Sequence, residues 1–217
     1  NFLSTIVDTD DEWIRQRTGI KERHLSNGKE GTTYMATHAA EAALENAGIP
    51  ADELDMIIVA TVSADTYVPS TSCSVQGTIG AIRATCFDIN AACSGFLFAL
   101  NTAYAYIEMG MAQTVLIAGS ETLSREVDWS DRSSCILFGD GAGAAVVRAE
   151  DTGVIHTVMK SDGAKWNVLS CVSRTGGNFI NGITTEPGFI TMDGQEVFKF
   201  AVKTVPACIH QVLEESG

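Results

Sequence analysis

The chain has 217 residues, 27 acidic and 14 basic, for a formal net charge of -13. Apolar residues make up 45% and charged ones 19%, which suits a chain that buries a core and not a disordered one. The acidic balance argues against sequence-independent nucleic-acid binding and against attraction to an anionic membrane surface.

Asp8 to Arg17 opens with acidic capping residues and predicts a short helix. Thr32 to Asn46 predicts a second, with Met35, Ala39, Ala42 and Ala43 on one face and Gly48 and Pro50 as stops. Met56 to Thr61 is a short apolar run suited to a strand buried on both faces. Ser72 to Gly80 follows as a helix, then Thr85 to Ile89 as a strand. That strand runs through NAACSG into a long helix ending at Met109, with Cys93, Leu97, Leu100, Tyr104 and Ile107 along one stripe. Thr114 to Ala118 is another buried strand. Cys135 to Phe138 and Ala144 to Val147 read as two strands joined by a glycine-rich turn, GDGAG, and Val154 to Met159 as one more. Trp166 to Ile190 lacks periodicity and reads as a long loop. Gln195 to Glu215 returns to helical spacing, with Pro206 expected to kink it or to start a second helix. Parallel-type strands alternating with helices give an α/β layered fold, and without a visible linker the chain reads as a single domain over 1–217.

No stretch is long and apolar enough to span a bilayer: the run 91–105 is broken by Ser94, Asn101 and Thr102. No basic n-region with an apolar h-region is visible as a secretory signal, and the given sequence begins at Asn1, not Met. Cys73, Cys86, Cys93, Cys135, Cys171 and Cys208 form no CxxC pair and read as reduced thiols of a cytoplasmic protein.

Cys93 carries the sharpest chemical signal. It follows a strand through a turn of small residues and opens a helix, with Gly95 two residues on. A thiol there meets unpaired backbone N–H groups and the positive end of the helix dipole, which favour thiolate, the nucleophilic form. The same N–H groups can receive a developing oxyanion. A buried packing cysteine is the competing reading, as for any thiol. Gly139 to Gly143 tempts a phosphate-loop reading, but a strand and not a helix follows it, so a tight turn is favoured. His24, His38, His156 and His210 are scattered without acidic or thiol partners at ligand spacing, and no metal is expected. Trp13 and Arg17 share a helical face; on their own they read as an exposed aromatic beside a charge before they read as a stacking platform with an anion contact.

Taken together, DTDDEWIRQRTGIKERH (8–24), DINAACSGF (88–96), DWSDRSSCILFGDGAGA (128–144) and MDGQEVFKFAV (192–202) resemble β-ketoacyl-[acyl carrier protein] synthase III. The likeness runs in order along essentially the whole chain, and DEWIxxRTGI with FGDGAGA makes it specific. The resemblance implies a thiolase-like layered fold, a mixed sheet with helices on both faces, of which this chain is essentially the amino-terminal half clipped at both ends. It implies that Cys93 takes an acyl group from acyl-coenzyme A as a thioester. Decarboxylative condensation with malonyl-[acyl carrier protein] then gives a 3-oxoacyl product, which initiates fatty acid biosynthesis.

By the same resemblance, Trp13 and Arg132 sandwich the coenzyme adenine and Arg17 approaches its phosphates. Phe138, Met192, Gly194, Val197 and Phe198 line the coenzyme channel. Val68 and Leu123 match acyl-pocket positions, Val68 reaching the pocket of the partner subunit in a homodimer. A valine where some members carry a bulky aromatic implies room for primers longer or more branched than acetyl. Lys199 and Lys203 are the candidates for carrier-protein docking, with a solvated face as the alternative. Acyl-coenzyme A is a substrate, and no cofactor is expected. The family's catalytic His and Asn find no matching motif before Gly217, so decarboxylation is not expected of this chain by itself. Two other readings stay open. One is another condensing enzyme of the same superfamily, such as a hydroxymethylglutaryl-coenzyme A synthase or a secondary-metabolite enzyme. The other is a non-catalytic acyl-coenzyme A-binding or dimerising half that needs a complementary chain.

Overall fold

Strand β1 (Met56–Ala60) is apolar and buried at every position, and its period-two alternation sends its side chains into two separate cores. In a computed structural model that describes residues 2–151, 156–171 and 188–216, it lies inside a four-stranded sheet of order β2-β1-β3-β4. β2 (Thr85–Ile89) and β3 (Thr114–Thr122) run parallel to β1, while β4 (Asp140–Arg148) runs antiparallel to β3, so the sheet is mixed.

On one face Ile57, Val59, Leu116 and Ala118 pack with helix α2 (Thr32–Ala47) through Ala36, Ala40 and Leu44, and with α3 (Thr71–Ile79) through Val75. On the other, Met56, Ile58, Val115 and Ile117 pack with α4 (Gly95–Glu108) through Ala99 and Ala103. Each fully buried Ile or Val contributes roughly 1.5–3 kcal/mol, and this double-sided burial is why the central strands read as continuous apolar runs.

These elements make up one of two compact units into which the chain divides: 24–122 with 139–157. The other comprises 1–23, 123–138 and 158–217. Its core joins Leu3, Ile14, Val127, Cys135, Ile136 and Ile190. It holds α1 (Asp11–Thr18), the one-turn helix α5 (Arg132–Cys135), an antiparallel β5–β6 pair (Leu169–Cys171 with Ile190–Met192) and α6 (Gly194–Ser216). Among the described residues no helix is long and apolar enough to cross a membrane.

Several expectations need correction. Cys135 to Phe138 is not a strand. The Asp131 carboxylate accepts hydrogen bonds from Ser133 N (2.9 Å) and from the Ser133 and Ser134 hydroxyls, capping α5, and buried Cys135 and Ile136 anchor that turn in the core. GDGAG is not a turn: Asp140 to Gly143 is the first part of β4, paired with Thr122 to Gly119. The ladder overrides glycine's poor strand propensity, and Asp140 is held by Ser26 N on its carboxylate (2.7 Å) and by its own N–H to His24 O (2.8 Å).

The buried face of α2 is Thr32, Ala36, Thr37, Ala40 and Leu44, one position round from the predicted one: Ala36, Ala40 and Leu44 join the core beneath the sheet while Met35 is half-buried. The buried face of α4 is Gly95, Ala99 and Ala103; Leu97 is exposed, since small residues let the helix lie close on the sheet. The region 166–190 is no uninterrupted loop, for β5 lies inside it. Residues 172–187 lie outside the described residues, as do Val154 and Ile155, while His156 to Met159 has no regular structure. α6 runs as one helix through Pro206.

Candidate active site

Cys93 sits just ahead of α4 and not on its first turn as expected: Ala92–Ser94 forms a 3₁₀ turn, and the α-helix starts at Gly95. Cys93 is exposed. Two local features set the turn. Ala92 has φ 47, in the left-handed region that a residue with a Cβ adopts only under constraint from its surroundings. Gly95 is buried against β1, where a Cβ would stand 2.8 Å from the Ala60 Cβ, so only glycine lets the helix start this close to the sheet. Gly119 on β3 faces Phe96 without that constraint, since an added Cβ would stand in ordinary contact, 3.7 Å from the Phe96 Cδ2.

Three carboxylates hold the starts of two helices and the segment after β1. Asp88, near the end of β2, accepts Thr71 N (2.7 Å) and Ser72 N (2.8 Å) and so caps α3 from outside that helix, beside the Ser70 cap. Asp65 accepts Thr32 N (3.2 Å) and Thr33 N (2.8 Å) at the start of α2. Glu121, near the end of β3, accepts Val62 N (2.9 Å), Ser63 N (3.1 Å), Thr61 Oγ1 (3.3 Å) and the Ser63 hydroxyl. Burial pushes the Glu121 carboxyl above its usual range against the pull of those bonds. Each is an acid in or beside an apolar strand, or just after one; that placement was the available signal.

Segment 61–70 and the strand leading to Cys93 enclose an open cavity of about 390 Å³, lined by Thr61, Thr66, Tyr67 and Ser70 on one side and by Phe87, Asp88 and Asn90 on the other. Cys86 also lines it, its thiol pushed up to about 12 by burial and then by the neighbouring Cys73 and Asp88. Val68 is 86% exposed and is not among the lining residues.

In the other unit the Arg17 and Arg132 guanidinium carbons stand 4.5 and 4.7 Å from the centroid of the half-buried Trp13 ring. The α1 and α5 caps Asp10 and Asp131 position these partners, and Arg132 also donates to Asp8 O (3.0 Å). On sequence alone Trp13 was an exposed aromatic with one neighbouring charge; the fold adds a second cation from 119 residues away (132 − 13). The contacts gather two guanidinium groups and an aromatic ring at one place, a combination suited to stacking and to anion binding.

Phe138 and Leu123 are half-buried against that unit's core. Met192 and Val197 are half-buried and Gly194 and Phe198 exposed, with the Met192 Cε 3.8 Å from where a Gly194 Cβ would stand. Lys199 is ion-paired to Glu196 (2.8 Å), which also meets Lys165 (3.1 Å), while Lys203 is exposed.

A mixed sheet covered by helices on both faces, with an exposed cysteine between strand and helix, is the architecture of the thiolase-like condensing enzymes. The crystal structure of 3-oxoacyl-[acyl-carrier-protein] synthase III from Aquifex aeolicus VF5 superimposes with a TM-score of 0.89 and 44% identity over 99% of this chain and 66% of that one. The model of the 3-oxoacyl-[acyl-carrier-protein (ACP)] synthase III family matches residues 87–163. β-Ketoacyl-[acyl-carrier-protein] synthase III of Clostridium novyi is 49% identical over 216 residues, 99% of this chain and 66% of the relative. That of Clostridium botulinum (strain Okra / Type B1) is 48% identical over 219 residues, 100% of this chain and 67% of the relative. The chain belongs to the β-ketoacyl-[acyl carrier protein] synthase III family, and it spans about two thirds of the length of these relatives.

Proposed function

We propose that the protein transfers an acyl group from acyl-coenzyme A to Cys93 and that the whole protein condenses it with malonyl-[acyl carrier protein]. The carrying observation is the exposed Cys93 thiol on its constrained turn between β2 and α4. The thiolate attacks the thioester carbonyl, the coenzyme leaves as its thiolate and takes a proton, and the acyl group remains as a thioester on Cys93. Thiolate suits both halves of the exchange because it attacks well and leaves well. Condensation then forms a carbon–carbon bond to the malonyl carbon, expels carbon dioxide and returns Cys93 as a thiol.

Trp13, Arg17 and Arg132 suit the adenosine and phosphate end of the coenzyme, since a guanidinium stacks on a ring and binds phosphate. Phe138, Met192, Gly194, Val197 and Phe198 are assigned to the rest of the coenzyme, and Val68 and Leu123 to the acyl chain. Acyl-coenzyme A is a substrate in this scheme, with no resident cofactor, and the active form is a homodimer. Residues 1–217, as one half-domain of the fold, carry the acylation step. The enolate step is assigned to a His and Asn for which these residues offer no motif.

Intact mass after incubation with acetyl- and isobutyryl-coenzyme A tests the reading. One acyl group per chain, mapped to Cys93 and lost in Cys93→Ser, supports it; a folded chain that takes up none removes it.

A further inference from the structure

Segment 61–70 joins β1 to α3 and carries Tyr67 and Val68, 80% and 86% exposed, at its tip. Hydrogen bonds to buried and half-buried side chains hold the base of this segment. The Glu121 carboxylate gathers the Val62 and Ser63 N–H groups and the Thr61 and Ser63 hydroxyls. The Ser63 hydroxyl in turn accepts Thr122 N (2.7 Å), and Ser63 O accepts the Thr32 hydroxyl (2.6 Å), which lies 2.8 Å from the Thr122 hydroxyl. Ser63, Thr32 and Thr122 are buried. A half-buried carboxylate whose ligands are three successive residues of one loop acts on that loop's conformation, and the same loop walls the cavity that runs to Asn90, three residues before Cys93.

We propose that Glu121 is a positioning residue for acyl-chain selection: it fixes the base of segment 61–70 and thereby the Thr66 and Tyr67 wall of the cavity, against which the primer is measured. This rests on the acyl-transfer reading of Cys93. The isosteric Glu121→Gln keeps the volume but turns one acceptor into a donor facing donors, so the base loosens while the core is unchanged.

The test uses the full-length protein with Glu121→Gln and Glu121→Asp. It measures kcat/KM for acetyl-, isobutyryl- and hexanoyl-coenzyme A, and hydrogen exchange over 62–68. Glu121→Gln is expected to narrow the spread between best and worst primer about fivefold or more, still forming one acetyl adduct per chain, with faster exchange at 62–68. Glu121→Asp, which keeps the carboxylate, is expected to retain more of the spread. An unchanged spread, or an equal fall for all primers, overturns the positioning role. If the wild-type protein acylates with no primer, the Cys93 reading fails by itself. Exchange then still decides whether Glu121 holds the loop, unchanged rates at 62–68 overturning that too.

Discussion

Cys93 and Gly95 show how much chemistry one backbone choice controls. The Gly95 Cβ position lies 2.8 Å from Ala60 Cβ, closer than real Cβ contacts come, so Gly95→Ala must push α4 away from β1. The expected cost is about 1–3 kcal/mol, read as a lower urea midpoint, together with slower acylation of Cys93. Cys86 and Cys135 make the contrast. Burial first, then Cys73 and Asp88, push Cys86 up to about 12, and burial raises Cys135 as well. Iodoacetamide at about pH 8 is therefore expected to label exposed Cys93 well before Cys86 and Cys135, followed by peptide mapping; early labelling of Cys86 in the folded protein would contradict it. The six cysteines are indistinguishable by type, and only the strand–turn–helix setting marked Cys93 in the sequence. Asp88 and Glu121 left a weaker trace, because an acid in or beside a strand becomes informative only when its donors, from Thr71 or Val62, are known to lie opposite.

Caps decide where the helices begin. At α2, a Cβ on Gly31 would meet the Asp65 carboxylate, so the cap requires glycine beside it. At α5, Asp131 makes a helical turn out of a run that reads as a strand. Burial works to raise the Asp131 carboxyl, but its bonds from Ser133 and Ser134 outweigh that and hold it below the usual carboxylate range. A carboxyl lowered by folding stabilises the native state above its unfolded pKa of about 3.9, and that stability is lost as pH falls through the folded value. Asp131→Ala is thus expected to cost about 1 kcal/mol near neutral pH, with the difference from wild type shrinking below about pH 4, as pH-resolved urea melts would show. A constant difference would mean that packing, not the carboxylate, carries the effect. Helix positions were legible from period and caps, but their buried faces were not: alanine-rich α2 offers several small faces, and in α4 the close approach at Gly95 selects the small residues Ala99 and Ala103 over the larger apolar ones.

For the whole molecule, net charge and local charge point in different directions. A chain of charge -13 has to meet an acidic carrier through a local basic patch. On α6 the Lys199 ammonium is engaged with Glu196, a pair that raises the lysine and lowers the glutamate, whereas Lys203 is exposed. In the full-length protein, Lys203→Ala is expected to slow carrier-protein association about threefold at low salt, the effect fading as ionic strength rises. An effect that persists in high salt would assign Lys203 a packing role instead.

The order of the main helices and strands from α1 to β3, the doubly buried central strands, the family and the choice of Cys93 as candidate nucleophile all followed from the sequence, since each depends on local periodicity or on a contiguous motif. The antiparallel entry of β4 through GDGAG, the α5 turn, the Arg132–Trp13 contact across 119 residues (132 − 13) and the carboxylates that hold segment 61–70 were settled by tertiary structure alone. Ladder pairing, capping and charge stacking are contacts between residues far apart in the chain, and their energies outweigh the local propensities from which a sequence is read.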